Sequence, residues 1–308
     1  MGSGHSHDHS HRADDALRDS AAGIRAVKVS LAVLGLTAAV QLVIVIVSGS
    51  VALLADTVHN VSDALTAVPL WIAFAMSRRA ATRRYTYGFG RVEDLAGLFV
   101  LAVIALSAVV AAVEGVRRLV DPLPLSHLSW VAAAGVIGFV GNEAVAVYRI
   151  RVGRRIGSAA LRADGMHARA DGLTSLAVVG GAIGVGLGFP AADPIIGLVI
   201  AGAIAVVLVF AARDVFGRLL DRVDAEIVDT AHRVLARQPE VRQVRRLRMR
   251  WVGHELQADT ELDVDPSLSL VEAHNLAHEA EHTLVRAIPK LGSVVVHAYP
   301  GHEPAVSS

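Results

Sequence analysis

Six long apolar segments constrain the fold of this 308-residue chain more than any other feature of its sequence. They cover approximately residues 24–47, 51–76, 94–116, 128–152, 159–189 and 194–210. A helix needs about 20 residues, with a range of about 17 to 25, to cross the hydrocarbon core of a bilayer. The chain starts with a polar stretch, and its first apolar segment is too long and begins too late for a cleaved signal peptide. The sequence therefore predicts a polytopic α-helical membrane protein with six transmembrane helices.

The distribution of arginine predicts how these helices are oriented. Arginines cluster between segments two and three and between segments four and five, whereas the first and last connections contain neither Lys nor Arg. By the positive-inside rule, both termini are then cytoplasmic. Arg117 and Arg118 fall on the outer side and oppose this orientation, but the inner arginines outnumber them. Together with the strong excess of Arg over Lys, this pattern predicts a multi-pass protein of a bacterial inner or plasma membrane.

The last third of the chain has the composition of a soluble domain. Ser269, followed three residues later by Glu272, is typical of a capping box at the start of a helix. The predicted elements are a helix over 224–238, strands over 241–251 and 255–264, a helix over 269–288 and a strand over 294–299. This order, α-β-β-α-β, predicts a small ferredoxin-like α/β domain on the cytoplasmic side.

Composition excludes several classes of function. The chain has 29 basic and 29 acidic residues, so its net charge is zero, and we expect no nucleic-acid partner because polyanion binders are strongly basic. It contains no Cys, which excludes disulfides, iron–sulfur clusters, thiolate metal sites and a cysteine nucleophile. What remains is an oily chain with 14 His, several of them in the N-terminal tract of residues 5–11, which can capture metal loosely.

The pattern D-x-x-H-x-x-x-D-x-L-T occurs twice, once in the second and once in the fifth apolar segment. Its acidic and imidazole positions are Asp56, His59 and Asp63 in the first copy and Asp164, His167 and Asp171 in the second. His at position i and Asp at i+4 lie on one helix face, and the two segments run in opposite directions, so the two faces can meet. Two nitrogens and two oxygens suit tetrahedral Zn²⁺.

The alternative interpretation is that these are polar residues satisfied inside a helix bundle. A charged side chain costs about 2.5–3.5 kcal/mol at the centre of a membrane helix, so such groups are rare and usually functional. The sequence therefore favours a metal site at His59, Asp63, His167 and Asp171. Asp56 and Asp164 are either outer ligands or charges on an ion path, or polar groups at a helix end. Arg169 points away from this face, and we expect it to pair with an acidic residue on another helix.

Six helices, the paired H-x-x-x-D motifs and the C-terminal α/β domain resemble the cation diffusion facilitator family, over nearly the whole chain. The resemblance implies efflux of a divalent metal from the cytoplasm in exchange for protons, by alternating access in a homodimer, with His59, Asp63, His167 and Asp171 as transport site. This ligand set is similar to that of zinc-type members, since manganese-type members usually carry Asp in place of the first His. Export of Co²⁺, Fe²⁺, Ni²⁺, Cd²⁺ or Mn²⁺ stays open.

The resemblance also implies two features outside the transport site. Arg91 matches a basic position that pairs with an acid at the base of segment six, here Asp221, to hold the dimer or hinge together. The cytoplasmic domain of the family binds metal, often across the dimer interface. By position, the implied ligands are Asp259, His274 and His297, with His254 as a weaker candidate. The implied ions are Zn²⁺ as substrate and as ligand of this domain, with no organic cofactor.

These expectations define a domain plan and two competing functions. The plan has a disordered His-rich tail over 1–22, a membrane domain over 23–213, a hinge over 214–222, a metal-binding dimerisation domain over 223–300 and a disordered tail over 301–308.

A membrane metalloenzyme is one alternative to a transporter, but four protein ligands would close the zinc site and no H-E-x-x-H motif occurs. A metal sensor that reports through the cytoplasmic domain is the other.

Overall fold

The computed structural model describes residues 6–48, 67–120, 128–189 and 191–301. The expectations for Asp56, His59 and Asp63 therefore lie outside the described residues. The elements are α1 Ser6–Ser48, α2 Ala67–Ser77, α3 Val92–Val120, α4 Leu128–Ile156, α5 Ala159–Gly186, α6 Ala192–Leu219, α7 Ala225–Leu235, β1 Val241–Val252, β2 Glu255–Val264, α8 Leu270–Ala287 and β3 Leu291–Pro300. The chain divides into two compact units, one of Leu17–Phe216 and the other containing the residues from Gly217 onwards.

The first unit is a bundle of apolar helices. Within the described residues, four helices are long and apolar enough to span a bilayer, namely residues 17–46 of α1 and the whole of α3, α4 and α6. Helix α5 has the length but not the hydropathy, because charged residues lie along it; much of it is nevertheless buried against its neighbours. The polytopic helical architecture is confirmed, with four of the six predicted spans identified by length and composition in this part of the chain.

Helices α1 and α6 extend into segments that the sequence analysis predicts as a disordered tail and a hinge. Helix α1 begins at Ser6, within the 1–22 segment that we expect to be disordered. Residues 5–22 contain neither Pro nor Gly, and residues 12–22 include four Ala, two Arg and one Leu, which are good helix formers, so the helix extends backwards from its apolar part. Helix α6 continues to Leu219, through most of the expected hinge, and Asp221 follows with φ 58°, a left-handed conformation that ends a helix and that Asp tolerates.

The second unit has the predicted α-β-β-α-β order. Its sheet has the strand order β1-β2-β3, with β1 and β2 antiparallel and β2 and β3 parallel. The core lies on one face, where Leu256 and Leu262 of β2 pack with α7 and α8. Ser269 and Glu272 form the predicted capping box, which satisfies the free backbone N–H groups at the start of α8. The alternating residues of β2, including Asp259, point to the opposite face.

Candidate metal centre

His167 and Asp171 lie side by side on α5, as their spacing predicts. His167 Nδ1 is 3.5 Å from Asp171 Oδ1, and the two residues are only 1% and 5% exposed. An imidazole nitrogen and a carboxylate oxygen would supply two of the four ligands that the sequence predicts for a tetrahedral zinc site. No group of three His, Asp or Glu residues converges within the described residues, which do not include the other predicted half, His59 and Asp63.

Close packing against α4 fixes the position of this pair. Helices α4 and α5 form an antiparallel hairpin whose turn contains Gly157 with φ 74°, a conformation that favours glycine, and Ser158 caps α5 by accepting a hydrogen bond from the Leu161 N–H at 3.2 Å. A Cβ atom at Gly165 would lie 2.7 Å from Ile150 Cγ1 and 3.1 Å from the backbone oxygen of Ala146. Glycine therefore lets the two helix backbones approach closely at the level of the site.

A second buried charge lies one helical turn before His167. Asp164 Oδ2 is 2.9 Å from Arg149 Nη1 of α4, and the two side chains are 0% and 2% exposed. Asp164 is thus an ion-paired residue of the bundle interior and not a polar group at a helix end. Asp164, His167 and Asp171 follow one another at positions i, i+3 and i+7 and are all buried, so they form one polar stripe along α5.

Arg169 is directed away from this stripe, as expected, and finds an acidic partner on another helix. Its Nε and Nη2 donate to the two carboxylate oxygens of Glu143 on α4, at 3.1 and 2.6 Å. The side chains of Arg169 and Glu143 are 40% and 33% exposed, in contrast to the buried Arg149–Asp164 pair. The prediction that Arg169 pairs with an acid on another helix is confirmed.

Arg149 is the functional candidate that the sequence pattern did not reveal, because it counts among the arginines that set the orientation. A signal was present in the hairpin itself. Gly157 lies eight residues after Arg149 and seven before Asp164, and Glu143 and Arg169 also flank it at similar distances. In an antiparallel hairpin, residues at nearly equal distances from the turn face each other, so opposite charges at such positions predict cross-helix pairs.

At the other end of the bundle, Arg118 is neutralised by two carboxylates. Its Nε donates to Glu114 Oε1 and its Nη1 to Asp193 Oδ2, each at 3.0 Å. Arg118, one of the two arginines that oppose the expected orientation, is therefore part of a network with Glu114 and Asp193 that links α3 to α6.

The candidate ligands of the C-terminal unit do not converge within one chain. Asp259 and His297 lie on the open face of the sheet, whereas His274 lies on α8, which packs against the other face. The ring of His274 instead contacts that of His278, with centroids 4.6 Å apart, and His254 is 7% exposed in the turn between β1 and β2. Within a single chain these residues do not fit one metal site, and a site completed by a second copy stays a prediction.

Two arginines of β1 form ion pairs with carboxylates on the open face of the sheet. Arg245 contacts Asp263 at 2.7 Å and lies 4.6 Å from the centre of the Tyr299 ring, and Arg246 pairs with Glu261. These contacts place positive charge where a metal ion would otherwise be attracted. Arg91 contacts Asp94 at 3.7 Å, and its expected pairing with Asp221 stays a prediction.

Comparisons with known proteins agree with this architecture. Residues 27–220 match the family described as "Cation efflux transmembrane domain", and residues 223–301 match "Cation efflux protein, cytoplasmic domain". Probable cation efflux system proteins of two Mycobacterium tuberculosis strains are 64% identical over 296 residues, covering 96% of this chain and 89% of theirs.

More distant relatives cover most of the chain as well. The magnetosome protein MamB of Paramagnetospirillum magneticum is 28% identical, covering 79% of this chain and 83% of its own. The cation-efflux pump FieF of Klebsiella pneumoniae is 29% identical, covering 82% and 84%. Among solved structures, the nickel form of a variant MamM CTD is 26% identical and covers 25% of this chain and 98% of its own, with a TM-score of 0.24, which is too low to support a structural comparison.

Proposed function

Because this chain belongs to the cation diffusion facilitator family of cation efflux proteins, we propose that it exports Zn²⁺ from the cytoplasm in exchange for protons. Family membership makes it a divalent metal cation efflux transporter and not an enzyme. The proposal adds the ion, the coupling and the site. It also adds a homodimer in a bacterial inner membrane with both termini in the cytoplasm.

The observation that carries the proposal is the buried His167–Asp171 pair on α5. A carboxylate and an imidazole are costly to bury inside a membrane bundle, and these two are almost fully withdrawn from solvent. Residues of this kind usually bind an ion or carry a proton. The same two residue types recur at the same spacing in the second apolar segment as His59 and Asp63. Four such ligands are suited to tetrahedral zinc, and they contain no thiolate that would retain the ion strongly.

Proton exchange follows from the chemistry of these ligands. Imidazole must be neutral to bind a metal, and it ordinarily titrates near pH 6.5. Arrival of Zn²⁺ therefore displaces protons, and protonation from the outer side releases Zn²⁺. Coupling of this kind needs only one set of ligands, which is exposed to each side of the membrane in turn. Zn²⁺ and protons compete for these ligands.

The test is transport into proteoliposomes with a panel of divalent cations under an imposed pH gradient. We expect Zn²⁺ uptake that follows the gradient and reverses with it, and we expect Asp171→Ala and His59→Ala each to lower the rate by about two orders of magnitude or more. The matched control is Asp214→Asn, which removes a partly exposed carboxylate that pairs with Arg162 at 3.3 Å and is not one of the proposed ligands. Equal rates for Asp171→Ala and wild type would refute the site, and uptake of another ion but not Zn²⁺ would refute the selectivity.

A further inference from the structure

Within the described residues, the Arg149–Asp164 pair is a buried ion pair with several unsatisfied polar atoms. Arg149 Nη1 meets Asp164 Oδ2 at 2.9 Å, yet neither oxygen of Asp164 and neither Nε nor Nη2 of Arg149 has a hydrogen-bond partner among the described residues. The Arg169–Glu143 pair joins the same two helices through two hydrogen bonds and is partly exposed. Of the two, only Arg149–Asp164 combines nearly complete burial with poor satisfaction.

Such a pair contributes little to stability. Withdrawing two charges from water costs several kcal/mol for each ion, and the attraction between them offsets this only when the remaining donors and acceptors are also satisfied. Here they are not. A carboxylate with unused lone pairs in a low-dielectric interior still attracts cations strongly, so Asp164 can take a second cation or exchange Arg149 for one.

The position of Asp164 on α5 indicates at which stage an outgoing ion would meet it. It lies three residues before His167, which is about 4.5 Å along the helix axis, on the same buried stripe of α5. It is also nearer than His167 to the start of α5, the end that faces the cytoplasm in the proposed orientation. An ion moving from that side along the stripe reaches Asp164 before it reaches the His167–Asp171 pair.

We propose that Asp164 is a first binding site for the outgoing divalent cation and that Arg149 is a tethered cation which occupies this site when no ion is present. This inference rests on the proposed function. An arriving ion displaces the guanidinium from Asp164, and the returning guanidinium favours passage of the ion to His167 and Asp171. Asp164 would contact the ion directly, whereas Arg149 acts on the ion through Asp164.

The test is the direction in which two single variants shift the KM for Zn²⁺ in proteoliposomes. Asp164→Asn removes the first site, and we expect its KM to rise about tenfold. Arg149→Gln removes the competitor, and we expect its KM to fall about fivefold together with its maximal rate, since the ion leaves Asp164 more slowly. Arg149→Lys keeps the charge and should stay close to wild type in both. A purely structural role would instead lower the maximal rate in both single variants without opposite shifts of KM.

A double variant keeps the inference testable if a single variant does not fold. Arg149→Met with Asp164→Asn leaves no buried unpaired charge, so we expect a thermal midpoint at or above that of wild type together with a KM as high as that of Asp164→Asn. The matched control, Arg169→Met with Glu143→Gln, neutralises the other ion pair of the hairpin and should leave KM unchanged. A wild-type KM in the folded Arg149–Asp164 double variant would overturn the inference. Full transport by His167→Ala would instead refute the proposed function.

Discussion

The charged residues of α5 differ in their surroundings although they lie within one short stretch of helix. His167 and Asp171 share a buried face, Asp164 on that face is held by Arg149, and Arg169 points to Glu143. Burial separates these roles, because an exposed ion pair contributes little while a buried charge must be compensated by a specific partner. Roles in transport therefore have to be proposed residue by residue, and not from the density of charge along α5.

Outside the membrane unit, one carboxylate makes a clear prediction about pH. Hydrogen bonds from the Ser267 hydroxyl and backbone N–H, together with Arg242, lower the pKa of Asp265 from 3.8 to about 2. Because the folded-state pKa is depressed, its stabilising contribution is present above about pH 4 and is lost as the pH falls through about 2. We expect Asp265→Asn to lower the thermal midpoint of the C-terminal unit slightly at pH 7 and to flatten its decline between pH 4 and 2.

The measurement is a series of thermal unfolding curves of the full-length protein in detergent at decreasing pH. Glu240→Gln provides the control, since Glu240 is an exposed carboxylate in the turn before β1. If Asp265→Asn and wild type lose stability in parallel from pH 4 to 2, the hydrogen bonds of Ser267 do not favour the ionised carboxylate as described.

At the scale of elements, packing of α4 against α5 fixes the position of the His167–Asp171 pair. Gly165 is the point of closest approach near His167, because a Cβ atom there would lie 2.7 Å from Ile150 Cγ1 and 3.0 Å from the Ile150 backbone nitrogen. A flexible side chain could give way, but the backbone of α4 cannot move without shifting the whole helix. We expect Gly165→Ala to destabilise the protein by about 1–3 kcal/mol and to lower its Zn²⁺ transport rate.

Gly202 of α6 is the matched control for this prediction, because a Cβ atom added there meets none of the described residues within 4 Å. Gly202→Ala should be neutral or slightly stabilising, since alanine is the better helix former. Thermal midpoints in detergent and transport rates of the two variants decide the matter. Equal midpoints for Gly165→Ala and Gly202→Ala would show that the two helices are not packed as closely as their backbones indicate.

At the scale of the whole molecule, each of the two units has hydrophobic packing of its own. One core lies under the three-stranded sheet around Leu256, Leu262 and Leu284, and another lies in the bundle around Leu70, Phe74 and Leu161. Leu262 is fully buried, so we expect Leu262→Ala to destabilise its unit by about 2–5 kcal/mol. Hydrogen exchange followed by mass spectrometry should show faster exchange over residues 225–300 and unchanged exchange in α3 to α6.

The control for the core variant is Val295→Ala on the open face of the same sheet. Val295 is 59% exposed, so its truncation should change stability by no more than about 0.5 kcal/mol. Faster exchange in α3 to α6 of Leu262→Ala would mean that the two units unfold as one.

Features that depend on short stretches of residues could be predicted from the sequence. Hydropathy and helical spacing predicted the membrane helices, the α-β-β-α-β order, the capping box at Ser269 and the adjacency of His167 and Asp171, because each depends on residues within a few turns of one another. The predicted helix boundaries were less accurate, since α1 extends back to Ser6 and α6 extends to Leu219. The reason is that a good helix former continues a helix whether or not it is apolar.

Contacts between residues that are distant in the sequence became known only from the three-dimensional structure. The pairing of Arg149 with Asp164 depends on the rotation of α4 against α5, which the glycines at their contact allow. The separation of His274 from Asp259 and His297 depends on which face of the sheet the helices cover. Residue types and spacing describe one helix or strand at a time, whereas contacts between elements depend on close packing along the whole length of both partners.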